Sequence, residues 1–213
     1  MKRMYLIWLI LTITVVFTGS QSYAYPVNVG DMITLTDSYG STRGGEFTVT
    51  GLGYTFQTFC VEVAEFLAFG IPFEVVGINS AAVWGGVGPG GDPLGFGTAY
   101  LFSKFDAGVL SLYDYVPGAG RVASANALQN AIWKLEDEGG PGNAYYEGLA
   151  AGSGWVDIGN VRVLNLEWTV NSGSHYIGER AQDILVTVPE PGILILLGIA
   201  LSAVGLAARR FKI

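Results

Sequence analysis

The sequence predicts an α+β domain, a β-sandwich or barrel-like sheet that carries a helical insertion. Segments rich in β-branched and aromatic residues, separated by turns that contain glycine, come first along the chain. Two longer stretches with helical periodicity follow, and strand character then returns. A run of strands, then helices, then strands is typical of this fold class.

The elements can be placed in order between the two ends of the chain. The strands are expected at residues 31–36, 46–50, 54–63 and 71–78, a glycine-rich loop at 85–97, helices at 98–115, 124–138 and 143–150, and closing strands at 155–170 and 183–188. The loop contains the spacing G-x-G-x-x-G by chance. Pro89 inside it, and no helix start at that point, argue against a phosphate site.

The first 24 residues have the three parts of a secretory signal peptide. A positively charged start is followed by apolar residues 5–17, and the small residues Ser22 and Ala24 precede the expected cleavage point. We expect signal peptidase to cleave after Ala24, so the chain is exported. An uncleaved anchor is the alternative, which the small and polar residues 18–22 disfavour.

The C-terminal end has three abutting parts. It begins with the box Pro189, Glu190, Pro191, continues with a 17-residue apolar run, and ends in a basic cluster that includes Arg209 and Arg210. The run is at the short limit for a transmembrane helix, which typically takes about 20 residues. The basic cluster is expected to stay on the cytoplasmic side.

This order of box, apolar helix and arginine cluster resembles the PEP-CTERM sorting signal. The resemblance covers residues 189–213. It implies recognition by an exosortase, a transient inner-membrane intermediate, and delivery to the cell surface or extracellular matrix of a Gram-negative bacterium. A plain tail anchor would explain the helix and the arginines but not the Pro-Glu-Pro box.

The domain between these ends, residues 25–188, is strongly acidic. It contains 17 acidic and 6 basic side chains, a formal charge of −11. Such a surface repels phosphate backbones, so nucleic acid is excluded as a partner.

Residue counts exclude most catalytic and metal sites. His175 and Cys60 are single residues of their types, so a zinc site of the usual composition cannot be built, and no metal or cofactor is expected. A Cys60–His175 hydrolase remains a remote alternative. The acidic run Glu136, Asp137, Glu138 at a helix end is interpreted as a solvated face, with weak calcium binding as the alternative.

Cys60 is unusual because an exported protein keeps it without a disulfide partner. Strand alternation places Phe59 and Val61 on one face, and Phe56, Cys60 and Glu62 on the other. A free cysteine is commonly a small buried hydrophobe, so this structural interpretation stands beside a chemical one.

Gln129 lies at the edge of an apolar stripe on the second predicted helix, one turn before Trp133. The stripe consists of Ala125, Leu128, Ile132 and Leu135. We therefore expect Gln129 to be at least half buried, where a carboxamide needs hydrogen-bond partners or a chemical role. It either bonds a neighbouring strand or meets Cys60.

These residues resemble the Cys-Gln thioester domains of bacterial surface adhesins. The resemblance rests on the aromatic-Cys pair Phe59-Cys60 on a strand and on the Gln-x-Ala-Ile-Trp motif from Gln129 to Trp133 on a helix, and it spans most of the domain. It implies that Cys60 is the thiol, Gln129 the acyl donor and Trp133 packing support. Phe59 is expected to shield the bond, and Glu62 either orients the site or is a solvated strand residue.

The function that follows is covalent attachment by an exported surface or matrix protein. The Cys60 thiolate would attack the Gln129 carboxamide and expel ammonia, forming an internal thioester autocatalytically. An amine of a surface protein or a hydroxyl of a polysaccharide would then attack the thioester once, without turnover, so the protein is not an enzyme. The alternative is a non-covalent structural or exopolysaccharide-associated matrix protein that has no thioester.

Overall fold

The chain forms a mixed α+β domain, as predicted. A computed structural model describes residues 25–41, 44–83 and 91–189, with residues 198, 200 and 201. Within them the strands are β1 (Met32–Asp37), β2 (Gly45–Gly51), β3 (Tyr54–Phe59), β4 (Pro72–Asn79), β5 (Ala81–Ala82), β6 (Asp92–Pro93), β7 (Val161–Trp168) and β8 (Arg180–Thr187). The helices, all between β6 and β7, are α1 (Phe96–Asp106), α2 (Ala119–Leu135) and α3 (Ala144–Ala151).

Six strands form one antiparallel sheet in the order β3-β2-β1-β4-β7-β8, and β5 pairs with β6 separately. The two edges of the large sheet approach each other just after β3, where Cys60 forms an antiparallel bridge with Ile184. The N–H of Val61 donates to the carbonyl of Asp183 at 3.1 Å in the same place. The sheet therefore curls so that its two edge strands meet at this point.

The apolar side chains form two clusters. One gathers residues from all six strands of the large sheet, among them Leu35, Phe73 and Ile184, and it contains Cys60. The other joins residues of the sheet to the three helices, and Phe59 belongs to it. The predicted strand alternation is thus confirmed, because neighbouring residues at the end of β3 lie in different clusters.

Two helix boundaries differ most from the prediction. The helix expected at residues 98–115 ends at Asp106, because Gly108 and Leu112 both take the left-handed conformation, with φ of 70° and 59°. Leu110 and Tyr113 remain buried in the loop that follows. Their burial preserves the apolar pattern beyond the end of the helix, which explains the error. The second helix begins at Ala119, earlier than expected.

The two ends of the domain lie side by side. The N–H of Tyr25 donates to the carbonyl of Thr187 at 3.0 Å. The expected signal peptide with its cleavage site at Ala24 lies outside the described residues, as do Glu190, Pro191, Arg209 and Arg210 of the sorting signal. In the part of the chain that is described, no helix has the length and apolar character needed to span a membrane.

Candidate functional site

Cys60 and Gln129 are in direct contact, although they are 69 residues apart in sequence. The backbone N–H of Cys60 donates to Oε1 of Gln129 at 3.1 Å, and Nε2 of Gln129 donates to the carbonyl of Cys60 at 2.9 Å. The carboxamide therefore pairs with both backbone groups of the cysteine. Both of the contacts expected for Gln129, a strand backbone and Cys60, are met by this one arrangement.

The folding of the chain accounts for this meeting. Cys60 directly follows β3, while Gln129 lies on the buried face of α2 beside Leu128 and Ile132. The predicted apolar stripe of the helix is confirmed at Leu128 and Ile132, because both side chains are fully buried. The helix thereby presents a carboxamide to the end of an edge strand, where backbone groups need partners.

Water is excluded from the contact. Gln129 is 0% and Cys60 1% exposed. The backbone before β2 closes over them, with the carbonyl of Gly44 accepting a second hydrogen bond from the N–H of Cys60 at 2.9 Å. A side chain at Gly44 would lie 2.7 Å from Cδ of Gln129, and one at Gly45 would lie 3.1 Å from its Oε1. Only glycine permits so close a cover.

The thiol of Cys60 is held in its neutral form. Its side chain packs in the apolar cluster of the sheet, and burial raises the pKa of Cys60 well above the usual range. The nearby carboxyl groups of Glu62, Glu65 and Asp183 raise it further. Ionisation of the thiol in the resting protein is therefore disfavoured, so a reaction of Cys60 must remove its proton during the attack.

The other predicted site residues lie around the same contact. Nε1 of Trp133 donates to the backbone carbonyl of Glu62 at 3.2 Å, so the helix holds the strand at a second point. Phe59 packs edge-on against Phe105 with ring centres 4.9 Å apart, and its ring also lies beside Gly45. Both rings lie close to the carboxamide, because a Cβ atom at Gly44 would meet Trp133 and Cδ of Gln129, and one at Gly45 would meet Phe59 and Oε1 of Gln129.

Glu62 is buried, so its interpretation as a solvated strand residue is wrong. The residue is 1% exposed, and within the described part of the chain its carboxyl group has no hydrogen-bond partner other than the adjacent Glu65 carboxyl. Burial, with the adjacent Glu65 carboxyl and the charge of Asp183, raises the pKa of Glu62 to about 10. It is therefore a neutral carboxylic acid at physiological pH.

A cleft of about 690 Å³ opens beside this acid. Its walls are acidic and aromatic, with some backbone and aliphatic groups between them. The acidic residues are Asp37, Glu62 and Glu65, and the aromatic ones are Phe47, Phe66, Phe69 and Trp133. The cleft also reaches Gly45, so it adjoins the cover of the Cys60–Gln129 contact.

A buried ion pair next to the cover was not predicted from the sequence. Arg121 of α2 donates from Nη2 to Oε1 of Glu46 at 2.5 Å and from Nε to Oε2 at 3.0 Å, and the Tyr113 hydroxyl donates to the same carboxylate at 2.5 Å. Glu46 is fully buried. Its partners are 67 and 75 residues away, so no local pattern connects them.

The acidic run after α2 is not a solvated face, contrary to the prediction. The Glu136 carboxylate accepts from the N–H of Gly95, at 3.2 and 3.1 Å for its two oxygens, and only 5% of the residue is exposed. Glu138 accepts from the N–H of Val63 at 3.1 Å. Asp137 alone is exposed. Among the described residues, no group of three metal-ligating side chains could hold a metal ion.

His175 lies in a different part of the surface. Its ring stacks on Trp168, with centres 4.6 Å apart and planes 2° from parallel, and its Nδ1 is 3.8 Å from the Glu179 carboxylate. This arrangement agrees with the interpretation of His175 as a loop histidine. The ring of His175 thus contacts residues other than Cys60.

Comparison with known proteins identifies the C-terminal segment. Residues 187–210 match the family model of the PEP-CTERM protein-sorting motif. The chain carries a PEP-CTERM motif. The motif implies an exported protein that an exosortase sorts to the surface of a Gram-negative bacterium. The sequence-based assignment of this segment is therefore confirmed. No curated protein and no solved structure matches the chain.

Proposed function

We propose that this exported, exosortase-sorted protein forms an internal thioester between Cys60 and Gln129 and uses it once for covalent attachment to a partner. The observation that carries the proposal is the pair of hydrogen bonds between the Gln129 carboxamide and the Cys60 backbone, at 3.1 and 2.9 Å. Helix α2 and the end of β3 bring the acyl donor into contact with the Cys60 backbone before any bond exists, which lowers the entropic cost of the proposed reaction.

The same hydrogen bonds favour attack on the carboxamide. The Cys60 N–H that donates to Oε1 of Gln129 polarises the C=O bond and stabilises the negative charge that grows on Oε1 in a tetrahedral intermediate. Sγ bonds to Cδ, the Cδ–Nε2 bond breaks, and the nitrogen leaves as ammonia with the proton of the thiol. The products are one thioester and one ammonia, and no oxidant or cofactor is required.

Burial then protects the thioester from water. Gln129 is fully buried, and Gly44 packs so closely over it that an added Cβ would lie 2.7 Å from its Cδ. An amine of a surface protein, or a hydroxyl of a polysaccharide, would attack Cδ when a partner displaces this cover. The C–S bond breaks, the thiol of Cys60 is restored with the proton of the nucleophile, and Gln129 remains joined to the partner. Each molecule reacts once.

The test is an intact-mass measurement of the chain purified in detergent, beside its Cys60→Ala variant. We expect the unreduced protein to be lighter than its processed sequence by one ammonia, and the variant to have the full mass. Methylamine should add to Gln129, as mapped by peptide mass spectrometry. Gln182 is a second buried glutamine, 3% exposed, and serves as the internal control that stays unlabelled.

A second candidate is a structural matrix protein with the same fold and no thioester. It is favoured by one observation: the Gln129 carboxamide satisfies the N–H and the carbonyl of Cys60 as a neighbouring strand would, which is a sufficient structural role for a buried glutamine. Full unmodified mass, with Cys60 alkylated only after denaturation and no methylamine at Gln129, would establish this candidate and exclude the thioester.

A further inference from the structure

The cleft beside Glu62 combines two properties that seldom occur together. It is lined by acidic groups, and two of its large aromatic side chains are exposed, Phe66 at 60% and Phe69 at 45%. Aromatic rings are usually withdrawn from water, and their exposure beside a concave surface is typical of ligand sites.

Glu62 provides an independent sign of a missing partner. Its two carboxyl oxygens are buried, and among the described residues they have no partner other than the adjacent Glu65 carboxyl, although the residue lines the cleft. Leaving a buried acceptor without an N–H or hydroxyl donor destabilises the folded protein. A carboxyl oxygen of Glu65, also at the cleft, is unsatisfied as well. The two acids thus share a proton with each other, while no N–H or hydroxyl group of the described residues donates to these three oxygens.

We propose that this cleft binds the guanidinium group of an arginine side chain presented by a partner polypeptide. A guanidinium has five N–H donors in a planar fork, which can satisfy the carboxyl oxygens of Glu62 and Glu65 at the same time. Its flat faces stack on aromatic rings, and Trp133 and Phe66 line the cleft at this point. The volume of about 690 Å³ also accommodates the aliphatic part of the side chain.

A lysine ammonium fits these features less well. It is a compact and strongly hydrated charge, so it loses more hydration in a partly closed cleft, and it has no flat face to stack. The outer carboxylate of Asp37 adds negative potential at the rim for either cation. The preference for guanidinium therefore comes from the paired acids and the rings together.

Binding of the cation is accompanied by release of a proton. Glu62 is a neutral acid in the free protein, because burial and the carboxyl groups of Glu65, Asp183 and Glu138 disfavour its charge. Arg180 lies near enough to Glu65 to lower that residue's pKa, although burial keeps the net direction upward. A guanidinium in the cleft stabilises the carboxylate of Glu62, which then gives its proton to the solvent.

Isothermal titration calorimetry of the full chain in detergent tests the site. The probes are N-acetyl-arginine amide, its neutral analogue N-acetyl-citrulline amide, and N-acetyl-lysine amide. We expect the arginine probe to bind saturably and about tenfold or more tightly than either of the others. Titration in two buffers of different ionisation enthalpy should reveal one proton released. Equal binding of citrulline, equal or tighter binding of lysine, or no saturable heat would overturn the proposal.

Matched variants locate the site. Glu62→Gln keeps the shape of the neutral acid but cannot ionise, so arginine binding should fall by about tenfold and proton release should vanish. Glu74→Gln removes an exposed carboxylate on β4 and should leave both unchanged. If Glu62→Gln fails to fold, Glu65→Gln must weaken binding instead, and unchanged binding in that variant would contradict the proposal. Cys60→Ala should bind arginine as the parent does, because this site does not depend on a thioester.

Discussion

Gly44 lies against the indole ring of Trp133 with no space for a side chain between them. A Cβ atom at this position would be 2.2 Å from Cζ2 of the ring and 2.7 Å from Cδ of Gln129. The two rigid neighbours cannot both move aside, because Trp133 is also hydrogen-bonded to the backbone of Glu62.

Gly44→Ala should therefore destabilise the protein by about 2 kcal/mol, the usual cost of overpacking. It should also slow the loss of ammonia from Gln129, since the carboxamide is displaced. Urea unfolding followed by circular dichroism measures the first effect. Gly148→Ala is the control, because Gly148 lies on the exposed side of α3 with nothing within 4 Å of an added Cβ. That variant should gain roughly 0.5–1 kcal/mol. Equal stability of the two variants would show that the cover is loose.

Arg121→Met should be more damaging. It leaves the Glu46 carboxylate fully buried with one hydrogen bond from Tyr113, and breaking a buried pair in this way costs about 3 kcal/mol or more. The free energy of unfolding from urea titrations is the measurement. Lys134→Met, on the exposed side of the same helix, should change it by less than about 0.5 kcal/mol.

The double variant Glu46→Gln with Arg121→Met checks the cause of that loss. Because no buried charge remains, it should be more stable than the sum of the single losses predicts. Strict additivity would mean that the two residues act independently of their contact.

Glu136 should make stability depend on pH below neutrality. Burial raises its pKa from 4.5 to about 7 in the folded protein, with the hydrogen bond from Gly95 opposing the shift. Between these two values the native state binds more protons than the unfolded state, so the free energy of unfolding falls as pH rises, by up to about 1.4 kcal/mol per pH unit. The contribution is fully present below pH 4.5 and is lost as pH passes about 7.

Urea unfolding at several pH values from 4.5 to 7.5 measures this slope. Glu136→Gln should flatten it, whereas Asp137→Asn, a change at the exposed neighbouring residue, should not. A slope that is the same in parent and Glu136→Gln would assign the dependence to other buried acids, such as Asp183, whose pKa is also raised to about 7 by burial.

Glu190→Ala tests the sorting signal. The residue lies in the Pro-Glu-Pro box within the matched motif, so its loss should prevent processing and leave the precursor in the inner membrane. Cell fractionation and immunoblotting measure the distribution. The Glu179→Ala variant, which removes an exposed carboxylate of the domain, should reach the surface normally. Normal delivery of the Glu190→Ala variant would show that the Pro-Glu-Pro box is not needed for sorting.

The sequence was sufficient to predict features that depend on the periodicity of neighbouring residues. It was insufficient to predict contacts between residues that are far apart in the chain. Alternation along one strand correctly separated Phe59 from Cys60, and helical periodicity correctly placed Gln129 on a buried face. Glu46 and Arg121 could not be paired, because only the completed fold brings them together. Glu136 looked like a solvated residue because its partner, the N–H of Gly95, carries no side-chain signature.

The place where the chain leaves the sheet determines how the domain responds to mechanical load. The sorting motif follows β8, and Tyr25 is hydrogen-bonded to the end of that strand, so both ends of the domain emerge at one pole. A pull on the C-terminal end runs along β8. On one side β8 pairs with β7, and on the other it meets Cys60 at the bridge to Ile184. Force parallel to a strand strains its hydrogen bonds together instead of one after another, so a pull on the C-terminal end loads the β7–β8 pairing and the Cys60 bridge in shear.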